Sequence, residues 1–106
     1  MLMQQDFLTS PNIDIDFERR FGGVGRLYGA AALERFKGAH VCVVGVGGGG
    51  SWVVEALARS AIGRLTLIDL DSVAESNINR QLQATSETLG KAKVSALAER
   101  IFQINP

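Results

Sequence analysis

The sequence has one cysteine, Cys42, and two prolines in 106 residues. A single cysteine excludes a disulfide framework within the chain and a CxxC zinc site. Its place in the apolar run HVCVVG marks it as a buried strand residue. An excess of one charge sign is also missing: 11 Lys and Arg balance 11 Asp and Glu. The chain as a whole therefore carries no electrostatic footprint for nucleic acid. No apolar run approaches the roughly 18 residues that a membrane-spanning helix needs. The opening MLMQQDFLTS lacks a basic end and a long apolar core, so no signal peptide is expected and the expected location is cytoplasmic. Length and apolar content are those of at most one globular domain.

Glycine, by contrast, is plentiful. GVGGGGS, Gly45 to Ser51, holds five glycines in seven residues. Each glycine in an ordered segment costs about 0.5–1 kcal/mol relative to alanine. Such a run implies that something comes close to the backbone, and a phosphate is the first candidate.

The surrounding sequence places this run. Residues 1–16 mix polar and apolar residues without a period and read as an amino-terminal arm, extended or mobile. FERRFGGVGRLYG (17–29) is broken at Gly22-Gly23, and a helix is expected after it, ending at Lys37-Gly38. HVCVVG (40–45) reads as a strand buried on both faces. SWVVEALARSAIG reads as a helix in which Val53 and Val54 recur with Leu57, Ala58 and Ala61, a stripe at i, i+4 and i+8 from Val53, with a stop at Gly63. LTLID (65–69) is a second strand, and DLDSVAESNINRQ (69–81) is a polar loop. TSETLG has room for one helical turn. The last segment repeats apolar residues at Val94, Leu97, Ala98, Ile101 and Phe102, the clearest amphipathic helix in the chain.

Strand, glycine loop, helix and strand imply a parallel pair joined by a right-handed crossover. The predicted class is α/β: a Rossmann-like parallel sheet with crossover helices, truncated after the second strand-helix unit. Two strands do not make the core of such a sheet. Residues 17–106 therefore read as the amino-terminal part of a nucleotide-binding domain, and aggregation-prone edges should require a partner chain, a swapped arm or more of the protein.

Gly45-x-Gly47-x-x-Gly50 fits the dinucleotide fingerprint between a predicted strand and a predicted helix. Asp69 follows Gly50 by 19 residues, at the end of the second strand, where a carboxylate can accept from ribose hydroxyls. This much suits NAD or ATP equally. The next loop separates them. It carries Asp69, Asp71, Asn77 and Arg80, and Lys93 follows 13 residues after Arg80. Each alone would be an ordinary solvated side chain. Hydride transfer needs no such cations at the pyrophosphate, whereas splitting a triphosphate does, because charge develops on the α-phosphate and the leaving group.

GVGGGGS, LTLIDLD, SNINRQ and GKAK together resemble the ThiF/MoeB/HesA family, the ubiquitin-activating-type adenylyltransferases. The likeness runs from about Arg20 to Pro106. RFGGVGRLYG, GVGGGGSWVVEALARSAIG and AERIFQINP most resemble its tRNA threonylcarbamoyladenosine dehydratase branch. The resemblance implies roles. Gly45, Gly47, Gly48 and Gly50 would form the ATP-binding loop, with Gly48 as a backbone contact. Asp69 would bind the ribose, and Asp71 stands at the motif's second aspartate. Asn77, Arg80 and Lys93 would act at the phosphates. Arg20 or Arg26 would be the arginine that reaches across a homodimer. Gly49 departs from the small branched or apolar residue usual there, and should loosen the loop without a clash. The cofactors implied are ATP and Mg2+, with the magnesium-binding aspartate expected beyond Pro106, as are any catalytic cysteine and tRNA-contacting surface.

The chemistry so implied is activation of a carboxylate: attack on the α-phosphate, loss of pyrophosphate, and attack on the acyl-adenylate by a nucleophile. In the dehydratase branch the nucleophile is internal and closes a ring on a modified tRNA. Activation of a ubiquitin-like sulfur-carrier protein is the alternative, and an NAD-dependent oxidoreductase the more distant one. The incomplete domain alone is expected to be inactive.

Overall fold

The computed structural model describes residues 3–6 and 15–106. At its centre is a βαβ unit. β2 (His40–Val44) and β3 (Arg64–Asp69) pair in parallel, from His40 opposite Arg64 to Val44 opposite Ile68, and α3 (Gly50–Arg59) makes the crossover. The parallel pair is the one expected. A further strand, β1 (Met3–Asp6), lies antiparallel on the other side of β3, with Met3 opposite Asp69. The sheet order is β1-β3-β2. The expected arm thus contributes a strand. Residues 1–2 and 7–14 of it lie outside the described residues.

Two helices precede the parallel pair: α1 (Phe17–Tyr28) and α2 (Ala30–Gly38). Gly22-Gly23 does not break the chain, contrary to expectation. Both glycines sit inside α1, whose start is capped by Asp16: its Oδ1 accepts from the Arg19 N–H at 3.1 Å. The break falls instead at Gly29, whose φ of +97° reverses the chain between α1 and α2.

α3 and α4 (Lys93–Phe102) cover one face of the sheet. Val54 and Ala58 of α3, Leu65 and Leu67 of β3, and Val94, Leu97 and Ile101 of α4 form the main core. The period read for α4 matches its buried face. The α3 reading holds in part: Val54, Ala58 and Ala61 are buried and Leu57 packs against the core, while Val53, at the start of the stripe, is half exposed and Ser51 and Glu55 are buried instead. Val53 and Val54 are adjacent and equally apolar, so composition alone does not choose which one faces the sheet.

β2 also departs from expectation. Val41 and Val43 pack on the core, but Cys42 and Val44 are exposed, Val44 to 76%. Side chains alternate across a strand, and the second face is buried at Thr66 of β3 but open at Cys42 and Val44 of β2. The expected stop at Gly63 has a different basis. α3 ends at Arg59, and Ala61 takes the left-handed conformation, φ +69°. Gly63 is needed for close approach, because a Cβ there would lie 1.8 Å from the Lys37 carbonyl oxygen.

α3 is tied to α4 at its middle and at its end. Arg100 donates from Nε and Nη2 to the two oxygens of Glu55, at 2.6 and 3.0 Å. Asn105 Nδ2 donates to the carbonyls of Ala58 and Ile62 and so satisfies the end of α3.

Candidate nucleotide site

The glycine loop leaves the carboxyl end of β2. Gly45 has φ +89°, and its N–H donates to the Ile68 carbonyl at 2.8 Å, so it still belongs to the sheet. A Cβ on Gly50 would lie 1.8 Å from the Gly45 carbonyl oxygen. Gly45 is therefore required by its backbone angle and Gly50 by contact. Gly49 has φ −87° and open space around it, as expected for a position that tolerates other residues.

Side chains latch the loop from below. Val46 is fully buried, its N–H donates to Asp69 Oδ2 at 2.9 Å, and its carbonyl accepts from Gln83 Nε2 at 2.8 Å. The Gly47 carbonyl accepts from both the N–H and the hydroxyl of Ser51. Ser51 Oγ in turn accepts from the Leu82 N–H at 3.2 Å. Among the described residues, no acceptor is seen for the N–H groups of Gly47, Gly48 and Gly49. α3 opens directly behind them with no side-chain cap and no acidic residue in its first turn. α4 begins in the same way. An uncapped helix start beside free N–H groups is an anion-binding arrangement.

The loop after β3 brings the cationic side chains to the same end of the sheet. Asp69 latches two backbone segments at once, since its Oδ1 accepts from the Asp71 N–H at 2.8 Å. Arg80 lays its stem against the glycine loop, with Cγ and Cδ 3.6 Å from where a Gly48 Cβ would stand. Its Nη1 donates to the Ser76 carbonyl and Asn79 Oδ1, at 2.8 and 3.0 Å, and its own carbonyl accepts from Trp52 Nε1 at 2.9 Å. Asn77 is buried, and its Oδ1 accepts from the Ala74 N–H, which shapes the turn at Glu75–Asn77. Lys93 is the first residue of α4 and is buried; its Nζ stands 3.7 Å from Asp71 Oδ2, and that carboxylate is largely exposed. A buried ammonium is held here by an exposed partner that can yield it to another anion.

Arg20 and Arg26 are elsewhere in this chain. Arg20 Nη1 donates to the Ile104 carbonyl at 3.0 Å and lines a cavity of about 340 Å³ with Phe21, Arg59, Gln103 and Ile104. That cavity lies at the carboxyl ends of α3 and α4, about 15 Å from the glycine loop at 1.5 Å per helical residue. Arg26 ends α1 and folds back over Gly22, with Nη1 3.2 Å from a Cβ built there. The structure thus gathers Gly45, Gly47, Gly48, Gly50, Asp69, Asp71, Asn77, Arg80 and Lys93, and separates the two arginines from them. Sequence reasoning missed Ser51 and Gln83. Ser51 was legible as the residue closing the glycine run, whereas Gln83 follows the polar loop with no spacing that marks it.

The Glu55–Arg100 pair between α3 and α4 also shifts the titration of both its members. The Arg100 hydrogen bonds hold the Glu55 carboxyl below the usual carboxylate range, against the opposing effect of burial. They raise Arg100 correspondingly. Among the described residues no helix is long and apolar enough to cross a membrane.

Known proteins resemble this chain in sequence and fold. The tRNA threonylcarbamoyladenosine dehydratase of Haemophilus influenzae is 59% identical over 91 residues, 86% of this chain and 35% of that protein. The molybdopterin-synthase adenylyltransferase of Salmonella typhimurium is 41% identical over 73 residues, 69% of this chain and 29% of that protein. A crystal structure of the Escherichia coli tRNA N6-threonylcarbamoyladenosine dehydratase in complex with ATP superposes with a TM-score of 0.85 at 55% identity, covering 89% of this chain and 39% of that one. The chain thus spans about a third of the length of the relatives it matches. The family model matches residues 22–106, which include every element from the middle of α1 to the end of α4, and the chain belongs to the ThiF family.

Proposed function

We propose that this chain forms the ATP-binding part of an enzyme that activates a carboxylate by adenylation, and that the reaction served is the cyclising dehydration of threonylcarbamoyladenosine in tRNA. The observation that carries the proposal is the placement of Arg80 against Gly48 in the glycine loop, with buried Lys93 at an uncapped helix start beside Asp71. An α-phosphate in that loop would meet free N–H groups on one side and fixed cations on the other. Such preorganised charge stabilises the negative charge that builds up as pyrophosphate leaves. Asp69, at the end of β3, stands where a ribose would lie. The identity to dehydratases supports the choice of tRNA substrate.

Mg2+ would accompany the nucleotide in this reading. Among the described residues no group of three His, Cys, Asp or Glu side chains stands together to hold an ion, so no ligand for it is assigned here. A homodimer belongs to the same proposal, with Arg20 or Arg26 crossing to the partner's nucleotide. Leu27 and Tyr28 at the end of α1 are exposed and would be covered by such a contact. The exposed thiol of Cys42 suits the reducing cytoplasm where a tRNA-modifying enzyme would work.

The second reading, activation of a sulfur-carrier protein, is favoured by the 41% identity to a molybdopterin-synthase adenylyltransferase. Pyrophosphate release distinguishes the two. Release with threonylcarbamoyladenosine-bearing tRNA and none with a carrier ending in Gly-Gly is the expected result, and the opposite pattern selects the second reading.

A further inference from the structure

We propose that Gln83 is a positioning residue for the phosphate-binding backbone: its carboxamide fixes the Val46–Gly47 peptide so that the Gly47 N–H is presented to the nucleotide before the nucleotide arrives. The inference rests on the nucleotide reading above and adds a residue to it.

Three successive peptide groups in the loop are each pinned by one side chain. Asp69 holds the N–H of the Gly45–Val46 peptide, Gln83 the carbonyl of Val46–Gly47, and Ser51 the carbonyl of Gly47–Gly48. In a trans peptide the carbonyl and the N–H point in opposite directions. A Val46 carbonyl turned inward to Gln83 therefore turns the Gly47 N–H outward. By the same geometry, the Ser51 latch turns out the Gly48 N–H. Glycine by itself does not choose this orientation, because it rotates freely. Something else must choose it.

Gln83 is suited to the task. It is 3% exposed and Val46 is 0% exposed, so water does not replace the bond. A carbonyl demands a donor, which fixes the amide with Nε2 toward Val46. The residue also sits 37 positions away in sequence, on the segment that follows Arg80 and Gln81. The same segment lays Gln81 Nε2 3.6 Å from where a Gly47 Cβ would stand, and its Leu82 N–H donates to Ser51 Oγ. The loop that carries the cations thus also sets the backbone they work with.

The test uses nuclear magnetic resonance on the chain and three forms of residue 83. The N–H residual dipolar coupling of Gly47 is measured without nucleotide, and ATP affinity by calorimetry. Gln83→Met keeps the length and removes the donor. It should move the Gly47 coupling while those of β3 stay in place, and weaken ATP binding about tenfold. Gln83→His, which restores an N–H at similar reach, should recover both. A Gly47 coupling unchanged in Gln83→Met overturns the proposal. Should Gln83→Met not fold, the wild-type side-chain amide decides: slow hydrogen exchange of the Gln83 NH2 supports the latch, and solvent-fast exchange refutes it. If neither the wild-type chain nor the full-length protein binds ATP, the nucleotide reading fails; if only the full-length protein binds it, that reading stands, and in both cases the Gly47 coupling tests Gln83 by itself.

Discussion

The glycine loop is two kinds of glycine that look the same in sequence. Gly45 and Gly50 have geometric reasons to be glycine, a positive φ and a 1.8 Å contact. Gly49 has neither. Gly50→Ala should therefore force the Gly45 carbonyl aside, destabilise the chain by about 1–3 kcal/mol as an overpacked site does, and remove ATP binding. Gly49→Ala should raise stability by about 0.4–1 kcal/mol by restricting the unfolded chain, with ATP affinity kept. Thermal melting and calorimetry on the pair read both effects, and equal losses in the two variants would show that the loop needs glycine for flexibility alone. The cations make a separate claim at this scale. In the full-length enzyme, Arg80→Ala and Lys93→Ala should each lower ATP–pyrophosphate exchange about a hundred- to thousand-fold, the effect of removing one aligned transition-state donor. Near-normal exchange in either, with tight NAD binding, would sink the adenylation reading. Asp69→Ala should weaken ATP binding for two reasons, a lost ribose acceptor and an unlatched Val46 N–H.

Helices α3 and α4 present their starts to the proposed nucleotide, and Glu55 in the middle of α3 is clamped to Arg100 in the last turn of α4. The acid dependence of this clamp follows from the lowered Glu55 pKa. A depressed carboxylate contributes stability above its unfolded value of about 4.3 and loses it as pH falls through the lower folded value. Arg100 is 44% exposed at its side chain, so solvent screening limits the gain to about 1 kcal/mol. Glu55→Gln should lower the melting temperature at pH 7, and the gap should narrow as pH falls below the unfolded value and through the lower folded one; a gap that persists unchanged into acid would assign the loss to packing. Much of this scale was legible in advance. Valine-rich runs and a 3.6-residue period located β2, β3 and α4, and the same motifs placed Asp69, Arg80 and Lys93 at one end of the sheet. What was not legible depends on tertiary contact. Val53 and Val54 are interchangeable until a sheet lies beneath one of them. Gly22-Gly23 reads as a break until α1 buries Gly22 and Phe21. Cys42 reads as buried only if both faces of β2 are covered. Glu55 and Arg100 stand 45 residues apart, and no local pattern pairs them.

At the scale of the molecule the question is how a two-strand parallel unit keeps its edges from pairing with other chains. β1 supplies half of the answer. Its antiparallel pairing from Met3 to Asp6 occupies the outer edge of β3, so β3 is bonded on both sides. Among the described residues β2 keeps an open outer edge, and Val44 is 76% and Leu70 60% exposed. The amino-terminal residues therefore act as an edge guard, the role that short edge strands commonly play. Removing residues 1–14 should bare the second edge. The ladder it breaks is short, and each lost hydrogen bond is worth about 0.5–1.5 kcal/mol net, partly offset by the freedom regained by the arm. A fall in melting temperature of about 5–10 °C is expected for a chain of this size. More telling is the state of association. With β3 bare on one side and β2 on the other, the shortened chain should self-associate at micromolar concentration, and light scattering should show a mass that grows with concentration. The intact chain should show a smaller rise, through the β2 edge alone. A shortened chain that stays monomeric and melts with the intact one would mean that β1 guards nothing, and that the α3–α4 layer alone keeps the parallel pair soluble.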